Sequence, residues 1–117
     1  MIKASELRIG NLVEYQSIAG NYVNDIPKWT LLEILSVDIL GADEFPDHYR
    51  PIPITEEWLL KFAFTKINST WYGHGNFRIN ISFDLEWAFN WMGISLNSVH
   101  QLQNLYFALT GIELKLK

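Results

Sequence analysis

The chain of 117 residues has no cysteine, which excludes disulfides, thiolate zinc sites and thiol nucleophiles together and is compatible with a reducing compartment. Cationic residues are the scarcer sign, nine Lys and Arg against thirteen Asp and Glu, for a formal charge of −4. That balance opposes the electrostatic footprint by which most proteins hold phosphate backbones, so nucleic acid is an unlikely partner. Long hydrophobic runs are missing as well. No stretch approaches the roughly 20 apolar residues that span a bilayer, and the opening "MIKASELRIG" lacks the apolar segment of a secretory leader. The expectation is a protein of the cytoplasm with no membrane partner. A more local absence stands out near the end, where no Asp, Glu, Lys or Arg occurs from Trp87 to Ile112.

What is present argues for a folded body. Hydrophobic residues make up 49% and aromatics 15% of the chain, with five Trp, a composition unlike that of disordered chains. The length suits a single domain, 1–117, able to bury a core without metals or cross-links. Residues 1–50 read as a β-rich half and residues 51–117 as a helix, a β meander and a closing helix.

"KASELRI" suggests a helical turn, and "GNLVEYQ" a first strand entered through Gly10 and Asn11, as at the start of many small barrels. Residues 19–27 collect Gly20, Asn21, Asn24, Asp25 and Pro27 and read as a loop. "WTLLEILSVDIL" (29–40) predicts a second strand, because the residues after it offer no continuing 3.6 period. These two strands are expected to pair antiparallel. Residues 41–54 carry three of the four prolines and predict an ordered loop or extended crossing segment between the halves.

Thr55 is suited to cap a short helix, with Glu56 and Glu57 where the helix dipole favours negative charge. That helix presents Trp58, Leu59, Leu60 and Phe62 and ends near Ala63. From Phe77 to Trp91 every odd position is apolar and most even ones are polar, the period of a strand with one face buried. The run exceeds ordinary strand length, which predicts a bend near residues 84–86 and two paired strands. "WYGHGNF" (71–77), with Gly73 and Gly75, reads as the hairpin turn before them, completing a three-stranded sheet. The last helix has a capping box, Ser98 with Gln101, and Gly111 as its C-terminal cap. At 100° per residue, Val99, Leu102, Leu105, Tyr106 and Leu109 form one face and His100, Asn104 and Phe107 the other. The resulting fold class is α+β: an N-terminal antiparallel, small barrel-like β unit, a short central helix, and a C-terminal antiparallel meander packed by a final helix.

Three blocks, "ASELRIGNLVEY", "PIPITEEWLLKFAF" and "VHQLQNLYFALTGIEL", occur in an order that resembles a family of small proteins encoded in phages, prophages and mobile elements of anaerobic gut bacteria. The resemblance implies a mobile-element origin and a bacterial cytosol, and it brings no catalytic or binding residues with it. Two positions depart from the family pattern. Ala63 stands where glycine is expected in "KFGF", and Ile112 where an acidic residue is usual, which enlarges the uncharged zone.

Candidate chemistry is sparse. His48 lies near Asp43, Glu44 and Asp47, an oxygen-rich set, yet the spacing lacks the alternation and turn glycine of a calcium loop; a solvated loop accounts for it. His74, between two glycines and beside Trp71, Tyr72 and Phe77, could form a stacking platform for a small ligand, although a turn packing on its sheet explains the same residues. No nucleophile elbow or phosphate loop is present, and Ser95 and Ser98 read as turn and cap. Glu56 and Glu57 point different ways on a helix. The expectation is therefore a non-enzyme with no cofactor and no metal.

The closing helix raises a different possibility. Its second face carries His100, Asn104 and Phe107 where an ordinary helix would show Lys and Glu. Either the helix is buried on both sides, or this face is an interface for a protein partner or a second copy. The leading expectation is a self-associating or protein-binding accessory module. The alternative is a small nucleic-acid-associated protein using Lys3, Arg8 and Lys28 of the N-terminal β unit.

Overall fold

A computed structural model describes residues 2–16, 22–23, 26–27, 29–75, 77–81, 87–89 and 94–116. The chain forms two compact units, Met1–Ile52 and Pro53–Lys117, divided within the proline-rich segment expected between the halves. An α+β fold is observed, with antiparallel sheets and, among the described residues, three α-helices.

The first unit opens with a 3-10 turn, Ala4–Glu6, where the Glu6 carboxylate accepts the Lys3 N–H at 2.8 Å. Gly10 takes a positive φ of 95°, and Asn11 behind it is fully buried. Asn11 Oδ1 accepts the Arg8 N–H at 2.7 Å, and its carbonyl accepts the Ile34 N–H at 2.8 Å, so one buried amide residue ties the turn to the next structural layer. Strand β1 (Leu12–Gln16) follows. Strands β2 (Tyr22–Val23) and β3 (Ile26–Pro27) pair as a separate ribbon. Strand β4 (Trp29–Glu33) pairs antiparallel with β1, Val13 opposite Leu32, as expected.

The second strand does not run on to Leu40. It stops at Glu33, and a helix, α1 (Ser36–Glu44), takes its place. Asp38 Oδ2 accepts the Leu35 N–H at 2.8 Å, which satisfies a donor at the helix start. Two small residues then let the helix lie close to its support. Ala42 is buried, and a Cβ on Gly41 would stand 2.5 Å from the Tyr49 hydroxyl oxygen. The expected loop over 41–54 is accordingly more ordered than the sequence suggested, holding the end of α1, a 3-10 turn (Pro46–His48) and strand β5 (Tyr49–Arg50).

Among the described residues the sheet order is β4-β1-β5. One face packs the core of Ile2, Leu7, Val13, Ile34, Ala42 and Tyr49. On β1 and β5, Glu14 faces Arg50 and pairs with it at 3.0 Å, and the Arg50 guanidinium lies 4.2 Å from the Trp29 ring centre.

In the second unit, helix α2 (Glu56–Lys61) starts as the sequence indicated, with Thr55 Oγ1 accepting the Trp58 N–H at 3.3 Å. Leu59 and Phe62 are buried, whereas Leu60 faces solvent. The helix ends in a paired reversal: the Phe64 N–H bonds to the Leu59 carbonyl at 2.9 Å and the Ala63 N–H to the Leu60 carbonyl at 3.0 Å. This is the Schellman pattern, with buried Leu59 and Phe64 as its apolar pair, and it puts Ala63 at a φ of 67°.

Strands β6 (Thr65–Lys66), β7 (Trp71–His74), β8 (Phe77–Ile81), β9 (Trp87–Phe89) and β10 (Ile94–Leu96) form one antiparallel sheet in the order β10-β9-β8-β7-β6. The period-2 run divides as expected into β8 and β9, with Ile81 opposite Trp87; the bend near 84–86 lies outside the described residues. The meander has five strands rather than three. The expected turn over 71–77 is mostly strand, because His74 pairs directly with Phe77; among the described residues there, Gly75 takes a left-handed conformation, at a φ of 61°. Gly73 serves a different purpose. A Cβ on it would meet the ends of the Arg78 and Ile67 side chains, which would have to shift.

Candidate interaction face of the last helix

Helix α3 (Val99–Thr110) closes on Gly111, whose φ is 72° and whose N–H bonds to the Phe107 carbonyl at 2.8 Å. The C-terminal cap is the one the sequence indicated. The capping box is not formed: Gln101 Oε1 accepts the Asn97 N–H at 2.8 Å, while Ser98 Oγ lies 3.1 Å from His100 Nδ1.

That last contact accounts for a correction. His100, expected on the outward face, is buried at 2% exposure, its ring nitrogen engaged by the Ser98 hydroxyl. The buried residues are Val99, His100, Leu102, Gln103 and Tyr106, so the inward face is turned by most of one residue step (~100°) from the apolar stripe read off the sequence. Asn104 is half-buried. Of the three expected interface residues, Phe107 is the exposed one, at 38%.

Inward, α3 packs on the sheet through rings. Tyr106 meets Phe77 and His74 with ring centres 5.2 Å apart in each case, and Phe64 lies 5.4 Å from His74. The Tyr106 hydroxyl is 3.2 Å from His74 Nδ1. His74, the candidate ligand platform, is thus occupied in packing the helix onto the sheet. Nearby, Trp87 is buried with its Nε1 donating to the Ile54 carbonyl at 3.1 Å and its ring 5.3 Å from that of Tyr72. Burial, then a hydrogen bond to Glu56 and the charge of that carboxylate, push the Tyr72 hydroxyl pKa up.

Burial along α3 ends at Tyr106, and every residue from Phe107 to Ile112 is exposed. The exposed surface is the final turn and the residues after it, not a stripe along the whole helix. Leu109 and Ile112 therefore join Phe107 as large exposed apolar groups. The sequence wheel missed Leu109 because it assigns a direction around the axis and says nothing of where the covering sheet stops.

The other candidates are dispersed. His48 Nδ1 lies 2.9 Å from the Gln16 carbonyl, and among the described residues no three His, Asp or Glu side chains converge as a metal-ligand group. Glu57 pairs with Lys61 and Glu56 with Lys66, each at 3.4 Å. Lys3 is exposed and Arg8 half-buried, while Lys28 lies outside the described residues. No helix among the described residues is long and apolar enough to cross a membrane. No family model, curated protein or solved structure matches the chain.

Proposed function

We propose that this protein is a non-enzymatic, self-associating module, an accessory protein of a bacterial mobile element that acts in the cytosol and pairs through the end of α3. The observation that carries this reading is the run Phe107–Ile112, six consecutive exposed residues that include three large apolar side chains within a segment free of formal charge. Burying a side chain such as Phe or Leu is worth roughly 1.5 to 3 kcal/mol, and the lack of formal charge from Trp87 to Ile112 reduces the desolvation that two approaching copies must meet. A two-fold arrangement is the simplest, since the same patch then serves both sides. Half-buried Asn104 stands at its rim.

The test is Phe107→Glu, followed by light scattering and thermal melting. The native chain is expected to be a dimer, and the variant a monomer melting within a few degrees of it. A monomeric native chain overturns the reading.

A further inference from the structure

We infer that the outer face of α1 docks a cationic amphipathic segment of another protein. This rests on different residues from the α3 reading and stands or falls without it.

Helix α1 is apolar on two sides. Ile39 and Ala42 pack into the first unit's core, yet Val37 and Leu40, one turn apart, are 67% and 69% exposed. Leu35, at the N-cap, is also exposed, but the shared outer face is that of Val37 and Leu40. A surface helix ordinarily shows charge on its outer side, and scattered single apolar residues would need no explanation. Here they share a face.

The charges around that face indicate what covers it. Asp43, Glu44 and Asp47 are exposed, and among the described residues none of them has an ion-pair partner. Three other acidic residues do: Glu14 pairs with Arg50, Glu56 with Lys66 and Glu57 with Lys61. No Lys or Arg occurs between Trp29 and Tyr49. Asp43 and Glu44 also occupy the last turn of α1, which has no basic residue. Carboxylates at that end repel the negative pole of the helix dipole, so the free helix carries an unfavourable term that an incoming cation relieves. Apolar groups with unpaired carboxylates at one end match a helix bearing leucine-like residues at i, i+3, i+4 and i+7 with Lys or Arg alongside. Nucleic acid and anionic membranes are repelled by the same charges.

The probe is a fluorescein-labelled peptide of leucine and lysine, about 18 residues long so that it spans several turns, with its leucines on one helical face. It is titrated into the full chain by anisotropy at low and at moderate salt. A peptide of the same composition with leucines scattered is the control. The faced peptide is expected to bind, and salt to weaken it. The pair Val37→Ser with Leu40→Ser is expected to weaken binding at least about tenfold, as is Glu44→Lys, whereas Phe107→Glu leaves it unchanged. Glu44→Lys should at the same time raise the Tm of the free chain, because a cation at that helix end is favourable. No binding, equal binding of the scattered peptide, or native affinity in the Val37/Leu40 variant overturns the proposal.

Discussion

The first unit holds four Lys or Arg against eight Asp or Glu, whereas the second holds five of each, and both leave apolar helix surface uncovered. On α1 that surface is bordered by carboxylates without partners. On α3 it lies in a stretch without formal charge that runs from Trp87 to Ile112, with Glu113 next along the chain. Apolar exposure thus has different consequences in the two units, since long-range charge sets the rate and partner of an encounter while buried apolar area supplies most of its strength. The acidic face selects a cationic partner and responds to salt. If the end of α3 pairs with its own copy as proposed, that pairing is expected to be nearly indifferent to salt.

The contrast depends on Trp87 belonging to the second unit's interior rather than to a contact surface. Trp87 is the residue on which to break it. Its indole is buried, donates to the Ile54 carbonyl and stands edge-on to Tyr72. Trp87→Ala is expected to lower stability by roughly 3 to 5 kcal/mol, measured by denaturant unfolding. A near-neutral result accompanied by loss of self-association would move this residue from core to contact surface and dissolve the distinction drawn here.

A smaller effect should be common to both units. Tyr49 in the first unit and Tyr72 in the second are each held above the ordinary tyrosine value of 10.0, chiefly by burial, with Asp38 adding to it for Tyr49 and Glu56 for Tyr72. Ionisation is therefore harder in the folded chain than in the unfolded one. The stability this represents is fully present below the unfolded value and is lost as pH rises through the folded ones. Unfolding measured from about pH 9 to 11 should show falling stability, and Tyr49→Phe or Tyr72→Phe should each flatten the decline. A slope that neither substitution changes would assign it to other groups.

Much of this architecture is legible in the sequence where the deciding interaction is local. The Thr55 cap, the Gly111 cap and the period-2 run that splits into β8 and β9 each depend on residues within a few positions of one another. Helix α1 was illegible for a physical reason: Val37 and Leu40 point outward while Ile39 and Ala42 point inward, so no 3.6 period exists to be read. The same doubled apolar character that hid the helix makes its outer face a docking surface. For α3 the period was readable but its inward direction was not, because the Ser98 hydroxyl lets His100 be buried, and the end of burial at Tyr106 is set by distant strands.

The finest test lies in the turn after α2, where sequence and backbone disagree. The Schellman hydrogen bonds from Ala63 and Phe64 require the residue between helix and strand to be left-handed, and Ala63 at a φ of 67° is the one described non-glycine residue with a positive φ. A Cβ in that conformation crowds the neighbouring carbonyl, at a cost of roughly 1 to 2 kcal/mol. Glycine removes the strain but has more unfolded-state freedom to lose, which returns about 0.4 to 1 kcal/mol. Ala63→Gly is therefore expected to stabilise the chain by about 0.5 to 1 kcal/mol net, read as a small rise in denaturant midpoint at unchanged m-value. If Ala63→Gly instead destabilises the chain, its methyl group packs in a way that outweighs the strain, and the close of α2 is held by that contact rather than by its hydrogen bonds alone.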